Sequence, residues 1–468
     1  MSGGPSDYLL LGKLLPRYLR EVGGEKRRDK ITVGTSALLS PILWAPGFLA
    51  LPGSCELGAL TDSTGDYKAQ GLYPMDISSA LPVFALNIDP SRDLKVLDLC
   101  CCPGGKLQMI SEALSAGSLV VGVDVSANRL DVCRSLLRGW SSSYKAWCGG
   151  RHARQLIFCA DGTRFGAAAP GELAFDSQVL DDECAGQRRR LNKSARERER
   201  KRLWLVQASL SIPRCRAVST PVEGDVGGKG PEEQEQEREQ KQEQEREQID
   251  LDAFDLVLVD AECTHDASYR HMALLPQPAE PTHSDRAQSA KRRALSHGST
   301  GAGDGGAVTA SAQLTALQRG LLKNGFDRLV PGGTLVYSTC SQDEAQNEDV
   351  IRWLLECEPS AQLLDAEALL VTPVIASQSG ESCDGAGMDL DLALQSLRTP
   401  VGELHQRVSA SHPSAEQQSQ LSVSICRALA LQTSPLLCPS PSLPGTVRLD
   451  HTCGTSGHFL ARIRKACV

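Results

Sequence analysis

KVLDLCCCPGGKLQMI, Lys95 to Ile110, decides the fold. A short apolar run from Lys95 to Cys100 meets a glycine pair, Gly104 and Gly105, and then a stretch with helical spacing to about Ala116. An apolar strand, a glycine turn and an amphipathic helix make one βα unit. The pattern recurs. LVVGVD (Leu119–Asp124) precedes SANRLDVCRSLLRG, which reads as a helix ending at Gly139. QLIFCAD (Gln155–Asp161) is a third strand and FDLVLVDAEC (Phe254–Cys263) a fourth. GTLVYSTC (Gly333–Cys340) is a fifth, after the helical LTALQRGLLKNGFDRLVPG. Continuous apolar strands alternating with helices are buried on both faces, which predicts an α/β, Rossmann-like fold with a doubly wound, mostly parallel sheet. Ligands in such sheets bind beyond the carboxyl ends of the strands. Asp98, Asp124, Asp161, Asp260 and Cys340 all stand near such ends.

The glycine turn does not suit a phosphate. It lacks the G-x-G-x-x-G spacing of dinucleotide sites, and Leu107 follows Lys106 where a P-loop needs Ser or Thr. Asp124 ends the second strand 20 residues after Gly104, the spacing at which an acid meets a ribose hydroxyl pair. A nucleoside ligand without a phosphate cradle is the natural fit, and S-adenosylmethionine is the common one.

The totals bound the rest. The 468 residues carry a net charge of −8, so nucleic-acid binding would rest on a local basic groove rather than on overall charge. Seventeen cysteines occur without a secretory signal at the start. The thiols are therefore expected to be reduced and the protein intracellular, in nucleus, nucleolus or cytoplasm. No apolar stretch reaches membrane-spanning length, and no pair of C-x-x-C knuckles points to zinc, so neither a membrane nor a metal is expected. A monomer is expected too. Low-complexity chain interrupts the catalytic unit: the basic run 186–202, the Glu/Gln tract 231–248, the Pro/Ser/Gly-rich 276–311 and the Ser/Gln/Pro-rich 371–442, the last with one helix at Leu421–Leu431. The expected plan is an N-terminal elaboration over 1–90 and a catalytic domain over 91–468, with disordered insertions at about 166–249, 276–311 and 371–442.

Cys263 follows the fourth strand and Cys340 the fifth. A lone cysteine is usually a small buried hydrophobe; two at adjacent strand ends beside a cofactor pocket point to chemistry. VLDLCCCPGGK, VDVSANRL, LVDAEC, GGTLVYSTCS and AQNEDVIRWLLE, in this order, resemble the motifs of the Sun-domain family of RNA cytosine-5 methyltransferases. GFLALPG and YKAQGLYPMDISSALPVFAL resemble the segment before that family's first motif, and TSGHFLARIRK its last strand. The resemblance implies a covalent mechanism on tRNA or rRNA. Cys340 would add to carbon 6 of cytosine, activating carbon 5 toward the methyl group. Cys263 would assist removal of the carbon 5 proton and product release, and Asp260 would face the cytosine ring and the cofactor edge. Cys100, Cys101, Cys102, Pro103, Gly104, Gly105 and Lys106 would wrap the methionine end, with Asp124 at the ribose and Asp161 at the adenine.

The sequence departs from the family at Glu262, which replaces a proline and is expected to raise the pKa of the neighbouring thiol. CCCPGGKL stands for the family's CAAPGGKT, and THDAS for a Gly-rich continuation. His265 and His271 are expected to be surface loop residues rather than bases. Lys13, Arg17, Arg20, Lys26, Arg27, Arg28 and Lys30 are candidates for RNA phosphates. A methyltransferase for protein or small molecules would need neither thiol. A DNA cytosine enzyme would carry Pro-Cys after the fourth strand. An RNA-binding scaffold without turnover is the remaining alternative.

Overall fold

The structure is a computed structural model that describes residues 13–21, 39–55, 71–148, 153–178, 203, 207, 249–268, 305–366, 415–430, 437–449 and 454–467. The Glu/Gln tract, the basic run 186–202, His271, Lys26, Arg27, Arg28 and Lys30 lie outside them.

An antiparallel sheet opens the chain: β1 (Arg17–Glu21), β2 (Ser40–Pro41), β3 (Phe48–Leu51) and β4 (Leu72–Pro74), in the order β2-β3-β1-β4. α1 (Ile77–Ala85) follows, its N-terminus capped by Asp76, whose carboxylate accepts from the Ser78 N–H at 3.0 Å. The sheet is not free-standing. Tyr18 and Phe48 share a core cluster with Val96, Ile110 and Leu137. The Tyr18 hydroxyl donates to the Gly454 carbonyl at 2.8 Å. Arg20 is buried and ion-paired with Glu112, so it is withdrawn from the expected phosphate-binding set. Pairing with a carboxylate 92 residues away removed it from the surface.

Five strands then run parallel: β5 (Lys95–Asp98), β6 (Leu119–Asp124), β7 (Arg154–Cys159), β9 (Phe254–Asp260) and β10 (Leu329–Thr339), with β8 (Glu172–Asp176) antiparallel on the β7 edge. Their order, β10-β9-β5-β6-β7-β8, reverses direction at β5, which makes the sheet doubly wound as expected. Val96, Leu97, Val120, Val121, Val257 and Leu258 are fully buried, the reason these runs are continuously apolar. The far edge is antiparallel: β14 (His458–Lys465) lies on β10 and in turn pairs β11 (Ala361–Leu364) and β13 (Val447–Leu449), which pairs β12 (Cys438–Pro439).

The helices are α2 (Gly105–Ala113), α3 (Ala127–Cys148), α4 (Gly305–Asp327), α5 (Glu348–Cys357) and α6 (Ala415–Ala430). α3 runs past Gly139, where the sequence predicts its end. A glycine costs a helix only about 1 kcal/mol, and termination needs a left-handed residue; Gly139 is not among the glycines with positive φ. β8 and Gln207 lie inside the span expected as an insertion, 166–249. Leu173 and Phe175 are buried and carry β8 onto the sheet. Within the same span, buried Gln207 accepts from the Leu173 N–H at 3.2 Å and donates to the Gly171 carbonyl at 3.0 Å. α4 starts inside 276–311, and α6 and β12 lie inside 371–442; the helix predicted at Leu421–Leu431 begins at Ala415.

Candidate active site

β9 and β10 are neighbours and parallel, so the segments leaving their carboxyl ends emerge side by side. Cys263 lies three residues beyond β9 and Cys340 directly after β10. Their Sγ atoms are 3.2 Å apart, and the Cys340 N–H donates to the Cys263 sulfur at 3.3 Å. The Nδ1 of His265 stands 2.7 Å from the Cys340 sulfur and 3.7 Å from that of Cys263. His265 adopts φ +56°, a left-handed conformation that costs a non-glycine residue energy and recurs at functional sites.

This arrangement is held from behind. The Ala267 N–H donates to the Cys340 carbonyl at 3.2 Å. Thr264 and Ser341 share a hydroxyl hydrogen bond at 2.9 Å, and the Thr264 N–H donates to Gln346 at 3.2 Å. Gln318 of α4 donates to the Glu262 carbonyl at 2.8 Å. The two cysteines titrate as a unit, one thiolate accepting a hydrogen bond from the other thiol. The hydrogen bond from Cys340, reinforced by those from His265, pulls Cys263 down to about 6 against the effect of burial. Cys340 is pushed up by the same hydrogen bond and by burial. The partner thiolate raises His265, by hydrogen bond first and then by charge, with burial opposing. The expectation that Glu262 would raise its neighbour's pKa is not met: Cys263 is lowered, and Glu262 is exposed.

Asp260 ends β9. Lys106, from the first turn of α2, reaches it across the sheet with Nζ 2.8 Å from Oδ2, and the Ser338 hydroxyl donates to Oδ1 at 2.7 Å. Burial works against the Asp260 carboxylate, but Lys106 and then His458 hold it below the usual carboxylate range. His458 itself, 3.8 Å away and buried, is pushed down to about 4 by desolvation.

The glycine turn lies one strand over. Gly104 has φ +106°, and a Cβ there would stand 2.8 Å from the Cys133 sulfur, so this turn accepts only glycine. Asp98 is buried at the end of β5; one oxygen accepts from the Cys100 N–H at 3.2 Å, and the other has no partner among the described residues. Burial and the charge of Asp260 push Asp98 up to about 8, so it holds a proton at neutral pH. Asp124 ends β6, accepts from the Ser126 N–H at 2.8 Å, and lies 3.4 Å from Arg129; burial lifts it to about 6. Asp161, past β7, accepts from the Thr163 N–H and hydroxyl at 2.9 and 2.8 Å.

The structure thus brings Cys340, Cys263, Asp260 and Lys106 to adjacent strand ends, with Cys100, Cys101, Cys102, Pro103, Gly104 and Gly105 in the turn beside them. Asp124 and Asp161 stand on the next two strands. The sequence places Asp98 at a strand end without giving it a role, passes over Val125, and does not anticipate the contact of His265 with Cys340. Val125 is 72% exposed immediately after Asp124, an apolar side chain in solvent at a strand end. The signal for His265 was its position two residues from Cys263; the signal for Asp98 was a carboxylate ending a fully apolar strand.

Residues 308–381 match the family model described as 16S rRNA methyltransferase RsmB/F. The chain is similar to ribosomal RNA small subunit methyltransferase F of Cronobacter sakazakii, with 24% identity over 332 residues, 71% of this chain and 45% of that protein. It is 30% identical over 149 residues to the protein of the same name from Escherichia fergusonii, covering 32% of this chain and 29% of the relative. The chain therefore spans less than half the length of these curated relatives. Among solved structures, a methyltransferase homolog protein from Pyrococcus horikoshii aligns with 98% of this chain and 88% of its own at 18% identity and a TM-score of 0.43. NSun6 from the same organism, crystallised with SFG, aligns with 99% and 94% at 13% identity and a TM-score of 0.44. The fold assignment rests on the strand order above. Among the described residues no helix is long and apolar enough to cross a membrane.

Proposed function

We propose that the chain belongs to the Sun-domain family of methyltransferases, which the match over residues 308–381 and its relatives support, and that it methylates carbon 5 of a cytosine in RNA, with S-adenosylmethionine as donor and ribosomal RNA as the substrate class. The observation that carries this is the pair of thiols 3.2 Å apart at adjacent strand ends, with an imidazole 2.7 Å from one of them. Methyl transfer to oxygen or nitrogen calls for no such pair. Carbon 5 of cytosine is a poor nucleophile until a thiolate adds to carbon 6.

The residues present fit the donor. The turn Cys100–Lys106 would hold the methionine end, and Gly104 lets it pack directly on Cys133, whose sulfur a Cβ there would meet. Asp98 offers a buried oxygen without a partner, and its proton would serve as a donor to the methionine carboxylate. Asp124 would accept from the ribose hydroxyls, Val125 would lie against the adenine, and Asp161 would stand near its edge. When bound, the donor supplies an electrophilic methyl group on sulfonium.

His265 takes the proton from Cys340, leaving a thiolate beside an imidazolium. That thiolate forms a bond to carbon 6, and the electron pair of the 5,6 double bond becomes available at carbon 5, which would bond to the methyl carbon as the methyl–sulfur bond of the donor breaks and its electron pair stays on sulfur. The carbon 5 proton then passes to the Cys263 thiolate, and the carbon 6–sulfur bond breaks to restore the double bond and release Cys340. Asp260, kept ionised by Lys106, is an acceptor for the 4-amino hydrogens of cytosine, which uracil lacks. Incubation of the purified chain with RNA and methyl-labelled donor tests this: label at cytosine carbon 5, absent from Cys340→Ala, supports it. Label on protein, or on RNA nitrogen or oxygen, overturns it.

A further inference from the structure

Beneath the glycine turn lies a second group of sulfurs, separate from the pair at the strand ends. Cys101 and Cys102 lie between β5 and α2, and Cys133 projects from α3. All three are buried, and their sulfur atoms lie within 4.8 Å of one another. We propose that Cys101, Cys102 and Cys133 hold a closed-shell thiophilic metal ion, Zn(II) or Cu(I), that ties the glycine turn to α3.

Three observations carry this inference, which is independent of the methyl-transfer assignment. First, two metal–sulfur bonds of about 2.3 Å span up to about 4.6 Å, so three sulfurs this close need only small shifts to share one ion. Second, the setting is closed and dry: Cys101 packs on Gly122, with its Sγ 3.0 Å from where a Cβ would stand, and Leu107 and Leu130 belong to the same core cluster. Closed thiolate sets are the hallmark of structural rather than catalytic metals, and soft thiolates select Zn(II) and Cu(I) over hard cations. Third, a cation is at hand to offset the excess negative charge of three thiolates. Arg129 donates to the Cys102 carbonyl at 3.1 Å and stands 3.4 Å from Asp124. Three sulfurs alone suit Cu(I), and Zn(II) would take a further ligand from outside the group. Packing by itself asks only for small apolar side chains at these points. The adjacent cysteines and a third 31 residues on do not form a C-x-x-C spacing, so pattern rules pass over the site.

The test uses the full chain carrying Cys263→Ser and Cys340→Ser, which removes the other thiol–imidazole group as a competing ligand set. After chelation and reduction, Cd(II), as the spectroscopic stand-in for Zn(II), and Cu(I) are titrated in separate arms. Sulfur-to-metal charge-transfer absorbance is the readout. The expected result is saturation at one equivalent per chain in at least one arm, at least a tenfold loss of affinity on adding Cys133→Ala, and competition by Zn(II) if the Cd(II) arm is the one that saturates. No charge-transfer band in either arm, or a band that survives Cys133→Ala unchanged, overturns the proposal. Should the Cys133→Ala chain not fold, the unsubstituted chain decides by alkylation and mass spectrometry in mild denaturant. Cys101, Cys102 and Cys133 should then react at least tenfold more slowly with metal than without, while Cys357 and Cys467 are unaffected; equal rates overturn the site.

Discussion

The chain gathers sulfur in two places, and the two are built from the same side chain to different ends. Cys101, Cys102 and Cys133 sit under a turn, all buried. Cys263 and Cys340 sit where two parallel strands stop, with Cys340 only partly covered and His265 against it. A thiol in the first setting is enclosed, with two other sulfurs within reach. A thiol in the second has an imidazole within reach of its proton. Reactivity here is a property of placement, set by β9 and β10 being neighbours and by one histidine held at positive φ.

The largest test of that contrast is to delete one sulfur from each group. Cys340→Ala should lower methyl transfer on the order of 10³-fold or more, as removal of a covalent nucleophile does. Cys133→Ala should lower stability, by more in the metal-loaded chain than after chelation, and still form the covalent RNA adduct. Equal losses of methyl transfer would erase the distinction.

His265→Ala should slow methyl transfer by about 10²–10⁴-fold, the range for losing a general base. The pH profile sharpens this. Cys263 is pulled down to about 6, so the pair takes up a second proton as pH falls through about 6, and the rate should fall with it. Without the imidazole hydrogen bond, that fall should begin at higher pH. An unchanged profile, even with a slower enzyme, would reduce His265 to a packing residue.

Asp98 lies between the two groups, feeling both Asp260 and Cys102. Its carboxyl titrates ordinarily at 3.8 in the unfolded chain and at about 8 when folded. The folded state binds the extra proton between those values, so this contribution is full below pH 3.8 and is lost as pH rises through about 8. Asp98→Asn should flatten the stability profile across that window, read as denaturation midpoints of both proteins at several pH values. Parallel profiles would show that Asp98 is ionised in the fold.

Asp124→Ala removes the ribose acceptor and should weaken donor binding by ~1.5–3 kcal/mol, measured by calorimetry. Unchanged affinity would assign Asp124 to Arg129 and the Cys102 side alone.

Much of this was legible in the residues, for physical reasons. Strands such as LVVGVD announce burial on both faces by their lack of alternation, and that alone implies a parallel sheet with Asp124, Asp260 and Cys340 at one end. The neighbouring of Cys263 and Cys340 followed from strand order. What stayed hidden depends on through-space partners. Arg20 reads as a surface cation until Glu112 covers it. Asp98 reads as an ordinary carboxylate until desolvation lifts it to about 8. His265 reads as a loop residue because nothing local reports that its backbone turns to φ +56° and aims Nδ1 at Cys340. The Cys101–Cys102–Cys133 group is invisible for the same reason: α3 brings in the third sulfur.

The central claim, that Cys340 bonds to the base while Cys263 frees it, is tested most directly by a denaturing gel of each variant after incubation with RNA and S-adenosylmethionine. Cys263→Ala should add to carbon 6, transfer one methyl group and remain attached, giving a slow-migrating protein–RNA band. Cys340→Ala should give none. A band from Cys340→Ala and none from Cys263→Ala would place the nucleophile after β9 and contradict the account.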